Sequence, residues 1–200
     1  MAFGNGLCQA EVIPADNNYC GGYAMCAVLS DLKKGIDFNP ISVYNEILGV
    51  QRQQLNNQNL QDLIEMTKRN DTDIILPSSL VLFAHSKRLE VELLYAKDLG
   101  FSSEIIQAER QRCTGMVTVR DCKDDVMQCF SDDSVKYGLV LVGNHNHWVA
   151  VKRKSSKEKG FAVYDPATGE RANVMEGDLK EYLRQMDELA GELVITLKPE

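Results

Sequence analysis

The first ninety residues carry apolar side chains at helical spacing. After a polar segment over 1–19, the sequence from Cys20 repeats small and apolar residues three and four positions apart, and Gly35 follows as a helix-ending residue. This pattern predicts a helix over 20–34. Further helices are predicted at Ile41–Leu48, Leu60–Arg69 and Pro77–Arg88, and the polar stretch Gln51–Asn59 is interpreted as a surface loop or a frayed helix.

The rest of the chain alternates between short strand-like runs and helical ones. Strands are predicted at Glu90–Ala96, Tyr137–Val142, Asn146–Arg153, Gly160–Asp165 and Glu192–Leu197, and helices at Ser102–Gln111, Asp121–Phe130 and Asp178–Leu189. The basic segment Lys152–Lys159 is expected to be a solvated turn, with a hairpin tip at Lys154–Lys159. The pattern as a whole predicts an α+β protein.

This α+β plan predicts a single domain over 1–200. Its first part, 1–89, is mainly helical, and its second part, 90–200, contains a mostly antiparallel sheet.

Composition excludes several classes of function. The 200 residues are 44% hydrophobic, which is enough for a sizeable core. With 22 basic and 29 acidic residues the net charge is −7, which disfavours a general binder of nucleic acid or of anionic membranes. No apolar run approaches the roughly 20 residues that span a bilayer. The first eight residues do not resemble a signal peptide, so a cytoplasmic location, or secretion without a classical signal, is expected.

Six cysteines raise the question of disulfides, metal binding or thiol chemistry. A chain of this length does not need disulfides, and no Cys-x-x-Cys motif is present. His145 and His147 share a strand face, but no third ligand is close, so neither a metal nor another cofactor is expected. Most of the cysteines should be buried structural thiols, with Cys122 and Cys129 on one helical face, and one cysteine is a candidate nucleophile.

Cys20 is that candidate. It opens the predicted 20–34 helix, where the aligned peptide dipoles favour a thiolate. The glycines that follow, Gly21 and Gly22, would let the backbone of a substrate approach the sulfur. The alternative is a small apolar residue that packs at a helix end.

Two further segments could supply partners for the thiol. His147 stands at the start of one predicted strand, and Asp165 stands at the end of the next. If the two strands form a hairpin, Asp165 could accept a hydrogen bond from Nδ1 of the imidazole and orient the ring. The remaining histidine, His85, lies in a predicted helix and is expected to be structural or at the surface.

The order of these segments resembles that of the papain-like cysteine proteases. Cys20-Gly-Gly-Tyr-Ala-Met-Cys-Ala-Val-Leu29 resembles the nucleophile helix of staphopain-like peptidases. His147-Trp-Val-Ala-Val, with Tyr164-Asp165-Pro, resembles the corresponding segments of bacteriocin-processing peptidases and of YopT-like effector proteases. The resemblance covers these three blocks and no more. It implies a papain-like fold, with the nucleophile helix packed on the sheet, and a Cys20–His147–Asp165 triad.

The chain departs from the family pattern at the oxyanion hole. The family usually has a glutamine shortly before the cysteine, where this chain has Pro14. Gln9 could replace it, as could the side-chain amide of Asn17 or Asn18. The backbone N–H of Cys20 is the expected second donor.

The resemblance implies an enzyme that hydrolyses amide bonds of a protein or peptide. A backbone amide would make it a cysteine protease, and a glutamine or asparagine side chain would make it a deamidase. Small enzymes of this fold also resemble toxins or effectors that bacteria deliver into other cells. Two alternatives remain open, namely a catalytically inactive binding module and an amidase of cell-wall peptides or an acyl transferase. The sequence does not indicate an oligomeric state.

Overall fold

The predicted α+β class is confirmed. The computed structural model describes residues 18–33, 36, 38–57, 68–69, 72–96, 109–122, 126–142, 147–186 and 193–199. Its helices are α1 (Cys20–Leu32), α2 (Pro40–Asn57), α3 (Pro77–Ser86), α4 (109–113) and α5 (Leu179–Met186), with a 3₁₀ helix at Val126–Ser131. Its strands are β1 (Lys68–Arg69), β2 (Thr72–Asp73), β3 (Leu89–Ala96), β4 (Thr118–Cys122), β5 (Tyr137–Val142), β6 (His147–Arg153), β7 (Phe161–Tyr164), β8 (Arg171–Val174) and β9 (Leu193–Pro199).

Seven of the described strands form one sheet in the order β4-β3-β9-β5-β6-β7-β8. All neighbouring pairs are antiparallel except β3 and β4, which are parallel. The predicted hairpin is present, since β6 and β7 pair from Ala150 opposite Tyr164 to Arg153 opposite Phe161. The hairpin brings the start of β6 close to the end of β7, as a triad of the predicted kind requires.

Helices cover both faces of this sheet. On one face α1 packs on β6 and β5 and α3 packs on β3, while α2 packs on α1 and α3. The apolar cluster on this side contains Cys20, Trp148 and Tyr164. On the other face the 3₁₀ helix packs on β9 and β3, and α5 buries Leu179 and Leu183 in a second apolar cluster. No described helix has both the length and the apolar character needed to cross a bilayer.

Gly22 allows α1 to approach α2 closely. A Cβ at Gly22 would lie 2.5 Å from Cβ and 2.8 Å from Cα of Tyr44, which is a residue of α2. Backbone atoms cannot move away as the tip of a flexible side chain can, so a larger residue would push the helices apart. Gly22 therefore makes room for α2, and not for a substrate as the sequence suggested.

We expect Gly22→Ala to lower the free energy of unfolding by about 1–3 kcal/mol, because the overpacking outweighs the better helix propensity of alanine. Gly49→Ala in α2 is the matched control, since a Cβ at Gly49 meets no atom within 4 Å. That control should raise the stability by up to about 1 kcal/mol. Urea unfolding followed by circular dichroism measures both changes, and a Gly22→Ala protein as stable as the wild type would contradict this explanation.

The helix α2 extends to Asn57, so the described part of the polar stretch that was expected to be a loop or a frayed helix is helical. Gln51 is buried, and its side chain makes two hydrogen bonds to the segment before α3. Its Nε2 donates to the carbonyl of Ile74 at 2.9 Å, and its Oε1 accepts from the N–H of Leu76 at 2.8 Å. Because its side-chain amide has both a donor and an acceptor, Gln51 can form hydrogen bonds with a backbone carbonyl and a backbone N–H that would otherwise be left without partners.

Two other predictions of local structure need correction, and one strand was not expected. The helix expected at Asp121–Phe130 is divided between β4 and the 3₁₀ helix, so Cys122 and Cys129 do not share a helical face. Both cysteines nevertheless pack against the second apolar cluster. The end of the helix expected at Leu60–Arg69 is the strand β1, which pairs with β2. The short strand β8 was not predicted.

The remaining predicted elements agree with the structure wherever it describes them. The N-terminal parts of the helices expected at Leu60–Arg69 and Ser102–Gln111 lie outside the described residues, as does the end of the one expected at Asp178–Leu189. A single domain over 1–200 stays a prediction.

Candidate active site

Cys20 is the first residue of α1. The backbone turns into the helix at Tyr19, whose carbonyl accepts a hydrogen bond from the N–H of Tyr23 at 3.0 Å. The side chain of Cys20 lies near the positive end of the helix dipole, which stabilises a negatively charged sulfur. Only 7% of the residue is exposed, so this thiol lies against the core rather than on an open surface.

The residue after Cys20 is fixed by contacts from two directions. A Cβ at Gly21 would lie 3.3 Å from Cβ of Ile75 and 3.4 Å from Cδ1 of Trp148. Ile75 belongs to the segment that Gln51 holds, and Trp148 directly follows His147 on β6. The start of α1 is therefore seated between the segment before α3 and the strand that carries the histidine.

His147 and Asp165 are in direct contact. Nε2 of His147 lies 2.7 Å from Oδ1 of Asp165, within the range of a charge-assisted hydrogen bond. The two side chains are 20% and 16% exposed, so both are largely shielded from water. The structure thus brings together the two residues that the hairpin was expected to join.

The turn after β7 fixes the carboxylate of Asp165 before any substrate arrives. Oδ1 also accepts the backbone N–H of Ala167 at 2.8 Å, and the hydroxyl of Thr168 forms a further hydrogen bond to the side chain. The carbonyl of Asp165 accepts the N–H of Gly169, whose φ of +69° suits a glycine in such a turn. Thr168 is a positioning residue that sequence reasoning missed, although it lies in the Asp-Pro-Ala-Thr-Gly turn that was noticed.

The imidazole of His147 also forms a hydrogen bond with the side chain of Cys20. Since Nε2 faces Asp165, the ring nitrogen that remains for the thiol is Nδ1. The predicted contact among Cys20, His147 and Asp165 is therefore present, but the expected contact of Asp165 with Nδ1 is wrong.

The charges around His147 favour its protonated form. Burial alone would lower the pKa of His147, but hydrogen bonds with Asp165 and Cys20, and the negative charges of these two residues, raise it to about 9. Burial likewise acts to raise the pKa of Asp165, yet hydrogen bonds from His147 and from the N–H of Ala167 bring it below its usual value. At neutral pH the ring is a cation between two acidic groups, which suits it to donate a proton.

The raised pKa of His147 predicts how the stability of the folded protein depends on pH. The pKa of His147 in the folded protein lies above the ordinary 6.5, so the charged ring contributes its full stabilisation below pH 6.5. That contribution should be lost as the pH rises through about 9. Urea unfolding between these pH values, for the wild type and for His147→Gln, measures it. The difference in the free energy of unfolding between the wild type and His147→Gln should shrink on the alkaline side. A difference that stays the same at every pH would contradict the assignment.

The other end of α1 is held by a polar cluster. Oδ2 of Asp31 accepts hydrogen bonds from the hydroxyl of Tyr137 and from Nζ of Lys152, both at 2.5 Å. Burial and the contact with Asp31 raise the pKa of Tyr137. Lys152 was expected in a solvated turn, but it ties α1 to β6. Arg153 is also buried, with Nη1 at 2.9 Å from Oε1 of Glu176.

Several candidate residues lie outside the described part of the chain, namely Cys8, Gln9, Asn17 and His145. The oxyanion donors therefore stay a prediction, although Asn18 directly precedes the turn into α1. His85 is exposed near the end of α3, as expected. The described residues contain no group of three metal-ligating side chains.

The other described cysteines lack the surroundings of Cys20. Cys26 and Cys113 are fully buried, and burial and the nearby Glu109 raise the pKa of Cys113 to about 12. Such a thiol is protonated at neutral pH and unreactive.

A scan against models of known protein families and a search of curated proteins give no match to this chain. The resemblance to papain-like proteases therefore depends on the three sequence blocks and on the contacts described above.

Proposed function

We propose that this protein is a papain-like cysteine hydrolase that cleaves amide bonds, with Cys20 as nucleophile, His147 as general acid and base, and Asp165 as the residue that orients the imidazole. One observation carries the proposal. The ring of His147 has a hydrogen bond to a thiol at a helix N-terminus on one side and to a largely shielded carboxylate on the other. An arrangement in which base and orienting group are both in contact is typical of nucleophilic catalysis.

The geometry supports a simple sequence of steps. The thiolate of Cys20 attacks the amide carbonyl carbon and forms a tetrahedral intermediate. The C–N bond breaks as Nδ1 of His147 gives its proton to the departing nitrogen, leaving a thioester on Cys20. His147 then takes a proton from water, which attacks the thioester and releases the acid. The thiolate and the imidazolium are restored at the end of the cycle.

The fold is compatible with a papain-like arrangement in its main features. The helix that starts with Cys20 packs on β6, and the sheet that carries His147 and the turn with Asp165 is mostly antiparallel. In the first form of the proposal the protein is a protease that acts on a protein or peptide, as a bacterial toxin or effector delivered into another cell would. A deamidase would use the same three residues.

Intact-mass analysis of candidate protein substrates tests the proposal and separates its two forms. A protease releases fragments that together gain one water for each cleavage. A deamidase leaves the chain whole and raises its mass by about 1 Da for each amide converted to a carboxylate. Cys20→Ala is the control, and mass changes that persist in this variant would overturn the assignment of the nucleophile.

A further inference from the structure

Arg171 ends in a buried guanidinium. Its Nε, Nη1 and Nη2 atoms are all buried, and none of them has a hydrogen-bond partner among the residues that the structure describes. Two other buried arginines also have guanidinium nitrogens without a hydrogen bond, but each has a carboxylate partner, since Arg112 contacts Glu109 at 2.8 Å and Arg153 contacts Glu176 at 2.9 Å. A buried charge without an acceptor is costly, so such a group is kept only where something compensates for it.

The strand register places Arg171 on the same face of the sheet as Cys20. Arg171 lies directly opposite Tyr164, the last residue of β7, and directly opposite side chains of an antiparallel pair share a face. Tyr164 belongs to the apolar cluster that contains Cys20. Ala172, the next residue of β8, packs against the apolar cluster of the other face, as the alternation of a strand requires.

Arg171 lies within reach of a substrate chain bound at the candidate site. Ala150, Tyr164 and Arg171 are aligned across β6, β7 and β8, and His147 is at the start of β6. Strand spacing and residue rise put the backbone of Arg171 about 14 Å from that of His147. An extended peptide advances about 3.4 Å per residue, so that distance corresponds to roughly two to four residues from the scissile amide once the length of the arginine side chain is included.

We propose that Arg171 is a specificity-determining residue that receives a carboxylate of the substrate, two to four residues from the scissile amide. A guanidinium presents its donors in a planar fork that matches a carboxylate. The protein carries a net charge of −7, so an acidic substrate needs a local cation of this kind. The inference rests on the proposed function, because it takes the Cys20 site as the place where the substrate binds.

Protection of Cys20 from alkylation tests this assignment without requiring turnover. Iodoacetamide labels the thiol, mass spectrometry locates the label, and two sets of short peptides that differ only in carrying glutamate or glutamine compete with it. In the wild type, the glutamate peptides should protect Cys20 at concentrations about tenfold lower than the glutamine peptides. Arg171→Gln should abolish this difference, and Arg171→Lys should retain only part of it because the fork is lost.

The controls separate the failure of this inference from that of the proposed function. Arg184→Gln removes an exposed arginine from α5 and should leave the discrimination unchanged. Thermal unfolding of each variant shows whether it is folded. If Cys20 reacts no faster than the other thiols, the proposed function fails, and this inference with it. If Cys20 reacts fast but the wild type does not distinguish the two peptide sets, or Arg171→Gln still distinguishes them, only the role of Arg171 is refuted.

Discussion

Replacing Cys20 by alanine should abolish amide hydrolysis, with a loss of at least about 10⁴-fold in kcat/KM. The substitution removes the sulfur that is placed to attack the carbonyl, while Asp165 and its turn remain to hold His147. Cys129→Ala is the matched control, since Cys129 lies on the opposite side of the sheet and is only partly buried. Its activity should stay close to that of the wild type.

The role of Cys20 can also be tested by chemical labelling, which needs no substrate. Iodoacetamide near neutral pH should modify Cys20 first, because its thiol has a hydrogen bond to the imidazole that would act as its base. Cys26 and Cys113 are buried and should react slowly. Similar labelling rates for all the thiols would refute the activated nucleophile, as would a Cys20→Ala variant that keeps its activity.

Asp165→Asn should lower kcat/KM by about 10²-fold or more, although it changes the size of the side chain very little. Asparagine can still accept from the N–H of Ala167, so the turn should persist. The negative charge that supports the imidazolium is lost, and the pKa of His147 should fall from about 9 toward its ordinary range. The alkaline limit of activity should then move to lower pH.

A pH profile of kcat/KM, with NMR titration of the His147 ring, measures both effects. Glu170→Gln is the control, because it removes an exposed carboxylate of the same turn that forms no hydrogen bond with the ring. That variant should keep the wild-type profile. An Asp165→Asn protein whose histidine titrates as in the wild type would show that Asp165 does not support the charge on the ring.

The sequence predicted the parts of the site that depend on local patterns. The start of α1 at Cys20 follows from a polar segment before a run with helical spacing, and the β6–β7 hairpin follows from two strands separated by a polar tip. These two elements are enough to bring His147 near Asp165. The ring nitrogen that contacts Asp165 could not be predicted, because it depends on the side-chain torsions of His147.

The elements that the sequence did not predict correctly depend on residues whose partners are distant in the sequence. Gln51 lies in a stretch as polar as a loop, and only the segment around Ile75 shows why it is buried. The strand β4 is at the edge of the sheet and none of its residues is buried, so its sequence carries no alternation of apolar and polar residues. The strand β8 is also at an edge, and its first residue is Arg171.

The side-chain amide of Gln51 restricts how the start of α1 can be placed. Apolar contacts are not directional, so packing alone orients a helix end less precisely than hydrogen bonds do. Gln51 donates one hydrogen bond to the segment around Ile75 and accepts another from it, and this pair of bonds holds the segment in place. Ile75 in turn lies against Gly21 beside Cys20. The accuracy with which the sulfur meets the imidazole is therefore set partly by a glutamine on a different helix, which takes no part in the chemistry.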